Sequence, residues 1–177
     1  MDKNSSVYKT ILLAVVCAIA GVLLSAVNSL TTPVIAENAL ATVRASLEEI
    51  YPDVDDFEDV TEKNIKDDDS GMIEGIYRAG DKGYIFKLHN VGYESDGFTF
   101  MIGFNMDGTI SGYKVLSQKE TAGKGDLAFK DDYTAQVLKL TSKDDMPIIS
   151  GATVTSSAVG EAVKAAEAIF NSIAGIK

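Results

Sequence analysis

No charged side chain occurs between Lys9 and Glu37, and the stretch Ile11–Leu30 within that gap is almost wholly apolar. From Ile11 to Val27 the sole hydroxylated residue is Ser25. Twenty such residues make about 30 Å of helix, the thickness of a bilayer's hydrocarbon core. Tyr8 stands where an aromatic residue would meet the interface. A cleaved signal peptide is the competing reading, but the run exceeds the usual apolar region and the obvious cleavage frames put Leu24 or Val27 at a critical position. Cys17 lacks the preceding small-residue sequence of a lipoprotein signal. The expectation is a retained transmembrane helix over residues 11–30 in the cell (inner) membrane. Lys3 and Lys9 precede it, whereas Arg44 follows among Glu37, Glu48 and Glu49. Positive-inside counting therefore predicts a cytoplasmic tail over residues 1–10 and an extracytoplasmic main domain.

Thr32-Pro33 punctuates the end of the span, and Pro33 suits the first position of a new helix. Ala36, Leu40, Val43, Leu47 and Ile50 mark one apolar face before Pro52, so residues 31–52 are expected to form a linker helix. Residues 53–177 then suffice for one domain with its own core. The net charge is −10. Such a chain would repel the phosphate backbone of a nucleic acid. Cys17 has no partner cysteine and His89 no second histidine, so no metal ligand set is expected. Asp53, Asp55, Asp56, Glu58, Asp59, Glu62, Asp67, Asp68 and Asp69 crowd one segment. As a calcium loop starting at Asp53 it fails, because Glu58 falls where glycine is needed and Asn64 where the bidentate glutamate belongs. A solvated surface is expected there.

Strand signals occupy 72–79, 83–89, 97–106 and 109–117. Gly80-Asp81-Lys82 joins the first pair and Asp107-Gly108 the last, the latter a hairpin signature. Phe98, Phe100, Ile102 and Phe104 alternate, which gives that strand one buried aromatic face. A C-terminal amphipathic helix is marked by Val159, Ala162, Val163, Ala166, Ile169, Phe170 and Ile173. The expected class is α+β: a transmembrane helix, then an antiparallel strand meander with flanking helices.

Two loops carry the chemistry. In the first, Ser150-Gly151-Ala152-Thr153-Val154-Thr155-Ser156-Ser157 turns from Pro147-Ile148-Ile149 into the C-terminal helix. Free N–H groups and the positive dipole end of a helix start favour an anion such as phosphate. A plain alternative is that Ser156 or Ser157 caps the helix. The second loop is Gln118-Lys119-Glu120-Thr121-Ala122-Gly123-Lys124-Gly125-Asp126, where paired glycines let backbone approach a flat ligand.

The string Ser150-Gly151-Ala152-Thr153, followed by Thr155-Ser156, resembles the flavinylation motif of bacterial FMN-binding domains. That resemblance implies FMN joined covalently to Thr153 by a phosphoester, with Ser150, Gly151, Ala152, Thr155 and Ser156 around it. The second loop is similar to the family's Glu-Thr-Pro-Gly-Leu-Gly loop, which implies that Glu120, Thr121, Gly123, Lys124 and Gly125 lie against the isoalloxazine. Ala122 stands for the family's proline and Lys124 for its leucine. Gly83-Tyr84, Gly92-Tyr93 and Asp107-Gly108 with Ile110-Ser111-Gly112-Tyr113-Lys114-Val115 also fit. With the anchor, the resemblance covers nearly the whole chain and extends to the G-subunit family of the Rnf complex, the ion-translocating ferredoxin:NAD⁺ oxidoreductase. The sister family, the C subunit of the sodium-pumping NADH:quinone reductase, shares both motifs but is usually considerably longer.

The resemblance implies an electron-transfer subunit with other membrane and peripheral subunits as partners. It also implies a separate flavin transferase, using FAD and Mg²⁺, during maturation. No acid–base constellation for substrate turnover stands out, so no catalytic residue is assigned. The competing readings are a stand-alone surface flavin reductase and a non-redox module whose Ser/Thr loop is only a cap. Lys124 has two readings as well: its ammonium reaches the flavin and raises the reduction potential, or it snorkels to solvent.

Overall fold

The alternating segments pair as a meander. A computed structural model describes residues 6–175, without the side chains of residue 7, residues 29–40 and residue 67. Five strands, β1 (Phe57–Asp59), β2 (Ile73–Ala79), β3 (Gly83–Asn90), β4 (Phe98–Asn105) and β5 (Ile110–Gln118), lie in sequential order. Every neighbouring pair is antiparallel. The Asp107-Gly108 turn behaves as its chemistry dictates: Gly108 takes φ 85°, and the Asp107 carboxylate accepts the Thr109 N–H at 2.9 Å. The acidic segment contributes β1, a short edge strand, and the one-turn helix α2 (Thr61–Asn64). Its Asp53, Asp55, Asp56, Glu58, Asp59, Glu62 and Asp69 are exposed, as a solvated surface requires.

One face of the sheet meets the C-terminal helix. After the short α3 (Asp131–Val137), α4 (Thr153–Ala174) packs Val159, Ala162, Val163, Ala166, Ile169 and Phe170 against Phe86, Phe100, Ile102 and Phe104. The Phe104 and Phe170 rings sit 5.1 Å apart. Gly175 ends α4 in the left-handed conformation at φ 68°, the usual glycine C-cap.

The helix α1 runs Ser6–Ile50. Its stretch Tyr8–Asn28 is long and apolar enough to cross a membrane, with mean hydropathy 2.7. The break expected at Thr32-Pro33 does not end the helix. A proline removes one backbone donor and strains a helix interior, but a long helix survives it. The chain divides into two compact units between Val43 and Arg44, so the domain begins earlier than residue 53.

The reason lies on the second face of the sheet. Ile50 and Tyr51 are buried there, and Leu47, three residues before Ile50, is buried as well, so the last turn of the expected linker belongs to the core. Gly103 and Gly112 are directly paired across β4 and β5. A Cβ on Gly112 would come 2.8 Å from Ile50 Cγ1, and one on Gly103 2.7 Å from Ile50 Cγ2. The two glycines leave a bare patch in which Ile50 sits. Gly83 does the same for the Tyr51 hydroxyl, which donates to Asn105 Oδ1 at 3.1 Å. Burial on both sides explains why Ile85 and Met101 are fully enclosed although they face away from α4. A methyl group at residue 83 would meet the Phe104 carbonyl oxygen at 2.1 Å, a backbone atom that cannot swing aside. Gly83→Ala is therefore expected to destabilise the domain by about 1–3 kcal/mol through overpacking. Urea unfolding of the variant measures it, and an unchanged midpoint would mean that Gly83 forms no such seat.

Candidate functional site

A pocket of about 300 Å³ opens at the start of α4. Its lining is Tyr93, Lys124, Gly125, Gly151, Ala152, Thr153, Val154 and Thr155. Three segments distant in sequence thus converge: the loop after β3, the glycine loop after β5, and the turn into α4. The volume is at the lower end of the ~300–1,000 Å³ common for small-molecule sites.

The turn is built by Gly151, which takes φ 90°, a conformation other residues avoid. The helix then begins at Thr153, and no side chain caps it at Ala152. Neither Ser156 nor Ser157 serves as the cap. The Ser156 hydroxyl points back, donating to the Ala152 carbonyl at 2.9 Å and accepting the Ile149 N–H at 3.1 Å. Thr153 is exposed, and its hydroxyl has only a long 3.4 Å contact to the Ile149 carbonyl. An accessible hydroxyl therefore stands beside the unsatisfied N–H groups of a 22-residue helix.

Thr155, two residues further along the chain, is fully buried. Its hydroxyl donates to Glu120 Oε2 at 3.0 Å and accepts the Tyr93 N–H at 3.4 Å. The second loop is thereby tied to the helix start. Further ties fix that loop's own shape. Glu120 N–H donates to Gln118 Oε1 at 2.7 Å, and Thr121 donates its hydroxyl to the Glu94 carboxylate. Lys119 pairs with Asp96 at 2.8 Å, and this ammonium holds the Asp96 carboxyl below its ordinary value. Asp126 is depressed likewise, first by its hydrogen bond from Lys130, and it also accepts the Lys124 N–H at 3.1 Å.

The charge pattern of the lining is simple. Lys124 is the one charged residue in it, and no acid lines the pocket. Lys124 is exposed and has no ion-pair partner among the described residues. In a chain of net charge −10, a pocket with one cation and a helix start is suited to an anion. Apolar Val154 and the ring of Tyr93, the latter 64 % exposed, offer surface for a flat apolar body.

Of the residues singled out from sequence, Gly151, Ala152, Thr153, Thr155, Lys124 and Gly125 line the pocket. Ser150, Thr121 and Gly123 are exposed outside its lining, while Ser156 and Glu120 are buried behind it. Tyr93 and Val154 were not among the site residues. The signal for Tyr93 was Gly92-Tyr93, an aromatic residue in a polar loop, and Val154 lies inside the motif itself.

Known proteins match these segments in sequence. Residues 92–168, which hold all three converging segments, match the family described as FMN-binding domain. Residues 1–50 match the RnfG N-terminal region. The chain is 30% identical to the G subunit of the ion-translocating oxidoreductase complex of Stutzerimonas stutzeri, over 95% of this chain and 72% of that one. It is 28% identical to the G subunit of the proton-translocating ferredoxin:NAD(+) oxidoreductase complex of Clostridium ljungdahlii, over 93% and 91%. With the G subunit of the ion-translocating oxidoreductase complex of Methanosarcina acetivorans it shares 27% identity, over 94% and 95%.

Proposed function

The chain belongs to the G-subunit family of the Rnf-type ion-translocating oxidoreductase complexes, and from that membership we propose that it is an electron-transfer subunit with FMN on Thr153. The observation that carries the reading is the placement of Thr153. Its hydroxyl is exposed, weakly engaged, inside a pocket, and set at an uncapped helix start.

The residues present fit the group. Thr153 would supply the oxygen for a phosphoester, and the free N–H groups of the first turn of α4 would stabilise its remaining negative charge. A helix start stabilises such a charge by about 0.3–1 kcal/mol, or up to about 2 when partly buried. Tyr93, Val154 and Gly125 are the surfaces for the ring system, and Gly125 has no side chain to hold it off. When bound, the flavin supplies one- or two-electron redox chemistry, while the protein contributes orientation and electrostatics. A covalent tether keeps that chemistry at one place in the chain. No catalytic residue is assigned.

On this reading α1 anchors the chain in the membrane with its N-terminus in the cytoplasm. The other subunits of the complex donate and accept the electrons, and a flavin transferase loads Thr153 during maturation. The mass spectrum of the natively produced chain tests the central point. It should exceed the sequence mass by one esterified FMN, and the chain should co-purify with multi-span membrane subunits. A native chain at the bare sequence mass would reject covalent attachment, and flavin without co-purifying subunits would favour a stand-alone reductase.

Lys124 gives a second measurement. Its exposed ammonium is free to remain in water while its stem covers the pocket rim. The flavin potential of Lys124→Leu is therefore expected within about 10 mV of wild type, or about 0.5 kcal/mol for a two-electron couple. A clearly lower potential in a dye-coupled titration would place the ammonium on the ring instead.

A further inference from the structure

Glu120 is nearly buried, at 7 % exposure, and no cation pairs with it among the described residues. Both of its carboxylate oxygens are nonetheless engaged. Oε2 accepts the Thr155 hydroxyl at 3.0 Å, and Oε1 accepts the Glu94 N–H at 3.4 Å. The Tyr93 N–H then donates to the same Thr155 oxygen at 3.4 Å, which closes the link between the loop after β3 and α4. The slot around the carboxylate is made by two glycines. A Cβ on Gly92 would lie 2.3 Å from Oε1, and one on Gly125 2.0 Å from Oε2. Three pocket-lining residues, Tyr93, Gly125 and Thr155, therefore touch this carboxylate or its hydrogen-bond partner, although Glu120 itself does not line the pocket.

We propose that Glu120 is a positioning residue that latches the glycine loop and the loop after β3 onto the first turn of α4 and so fixes the Thr153 hydroxyl for attachment. The inference rests on Thr153 being the attachment site. Helix ends fray, and Thr153 is the first residue of α4, its hydroxyl held by one long hydrogen bond among the described residues. Two residues on, the buried Thr155 hydroxyl holds the same turn through its 3.0 Å hydrogen bond to Glu120. Without the latch, the hydroxyl and the pocket wall would no longer share one fixed geometry, and a modest misplacement is enough to slow a group transfer greatly. This assigns Glu120 a task behind the pocket in place of direct contact with a ring, with Thr155 in the lining as its hydrogen-bond partner.

The test uses the full chain with a flavin transferase, FAD and Mg²⁺, following initial rates of Thr153 loading, in which the threonine oxygen bonds to the phosphorus of the FMN half, the pyrophosphate bond breaks, and AMP and the hydroxyl proton leave. Glu120→Ala and Thr155→Val should each load at least tenfold more slowly than wild type. Glu120→Gln should load within about twofold, because its oxygen still accepts the Glu94 N–H and its amide donates to Thr155. Amide exchange in the unloaded chain supplies the second readout. Residues 91–94 and 121–125 should exchange faster in Glu120→Ala but not in Glu120→Gln, with circular dichroism unchanged. Wild-type loading rates in Glu120→Ala would overturn the proposal. So would slow loading with unchanged exchange, since Glu120 would then act by contact with FAD or the transferase. If wild type itself never loads, the attachment reading fails and takes the positioning for attachment with it, while exchange still reports whether the latch exists.

Discussion

Thr153→Ala, expressed with the transferase, is expected to lose its flavin completely: no fluorescent band on a denaturing gel under ultraviolet light. The change should be chemically severe and structurally mild. Thr153 is exposed, its hydroxyl makes one 3.4 Å contact, and alanine is a better helix former. The variant should therefore melt within about 0.5 kcal/mol of wild type, as surface substitutions usually do. Thr155→Ala should still reach full fluorescence given time, because its hydroxyl is buried and turned to Glu120. Ser150→Ala should be loaded as well. A fluorescent band in Thr153→Ala would move the ester to another hydroxyl and remove the main support for the pocket assignment.

The second large effect concerns where the domain begins. A chain starting at Arg44 is expected to unfold cooperatively, whereas one starting at Asp53 is not. The longer piece keeps Leu47, Ile50 and Tyr51, all buried, with Ile50 and Tyr51 seated on the glycine patch. Leu47 and Ile50 alone represent about 3–6 kcal/mol of apolar burial. Domains as a class have only about 5–15 kcal/mol in total. The shorter piece would also expose Ile85 and Met101, which are fully enclosed in the intact domain. It should bind a hydrophobic dye and lack near-ultraviolet circular dichroism. Equal melting of the two pieces would mean that the helix end only rests on the sheet.

These two cases also show what the sequence made legible. The four long strands, the Asp107-Gly108 turn and α4 follow from alternation and helical spacing, which are local patterns. Their bounds differ from expectation by only a residue or so at each end. The strand β1 was missed because Phe57-Glu58-Asp59 is too short for alternation to register and lies in an acidic run. Leu47 and Ile50 were visible as an apolar face, but not what they face, since the partner is made of glycines. Gly83, Gly103 and Gly112 act through the side chains they lack, and that role exists only once the strands are in register. In the site, Thr153 and the glycine loop were legible through a contiguous motif. The Glu120–Thr155 pair was not, because its members stand 35 residues apart and no periodicity joins them.

The pocket's walls come from three places in the chain, and one of them, the helix α4, is synthesised only after every strand of the sheet. The meander can pair strand by strand as it emerges, but the acceptor threonine has no helix start around it until Ile169 and Phe170 dock on the sheet. Attachment at Thr153, as proposed, therefore reports on the docking of α4. A chain ended before α4 would stay colourless, and the yellow of a loaded one would certify that this helix had found its place on the sheet.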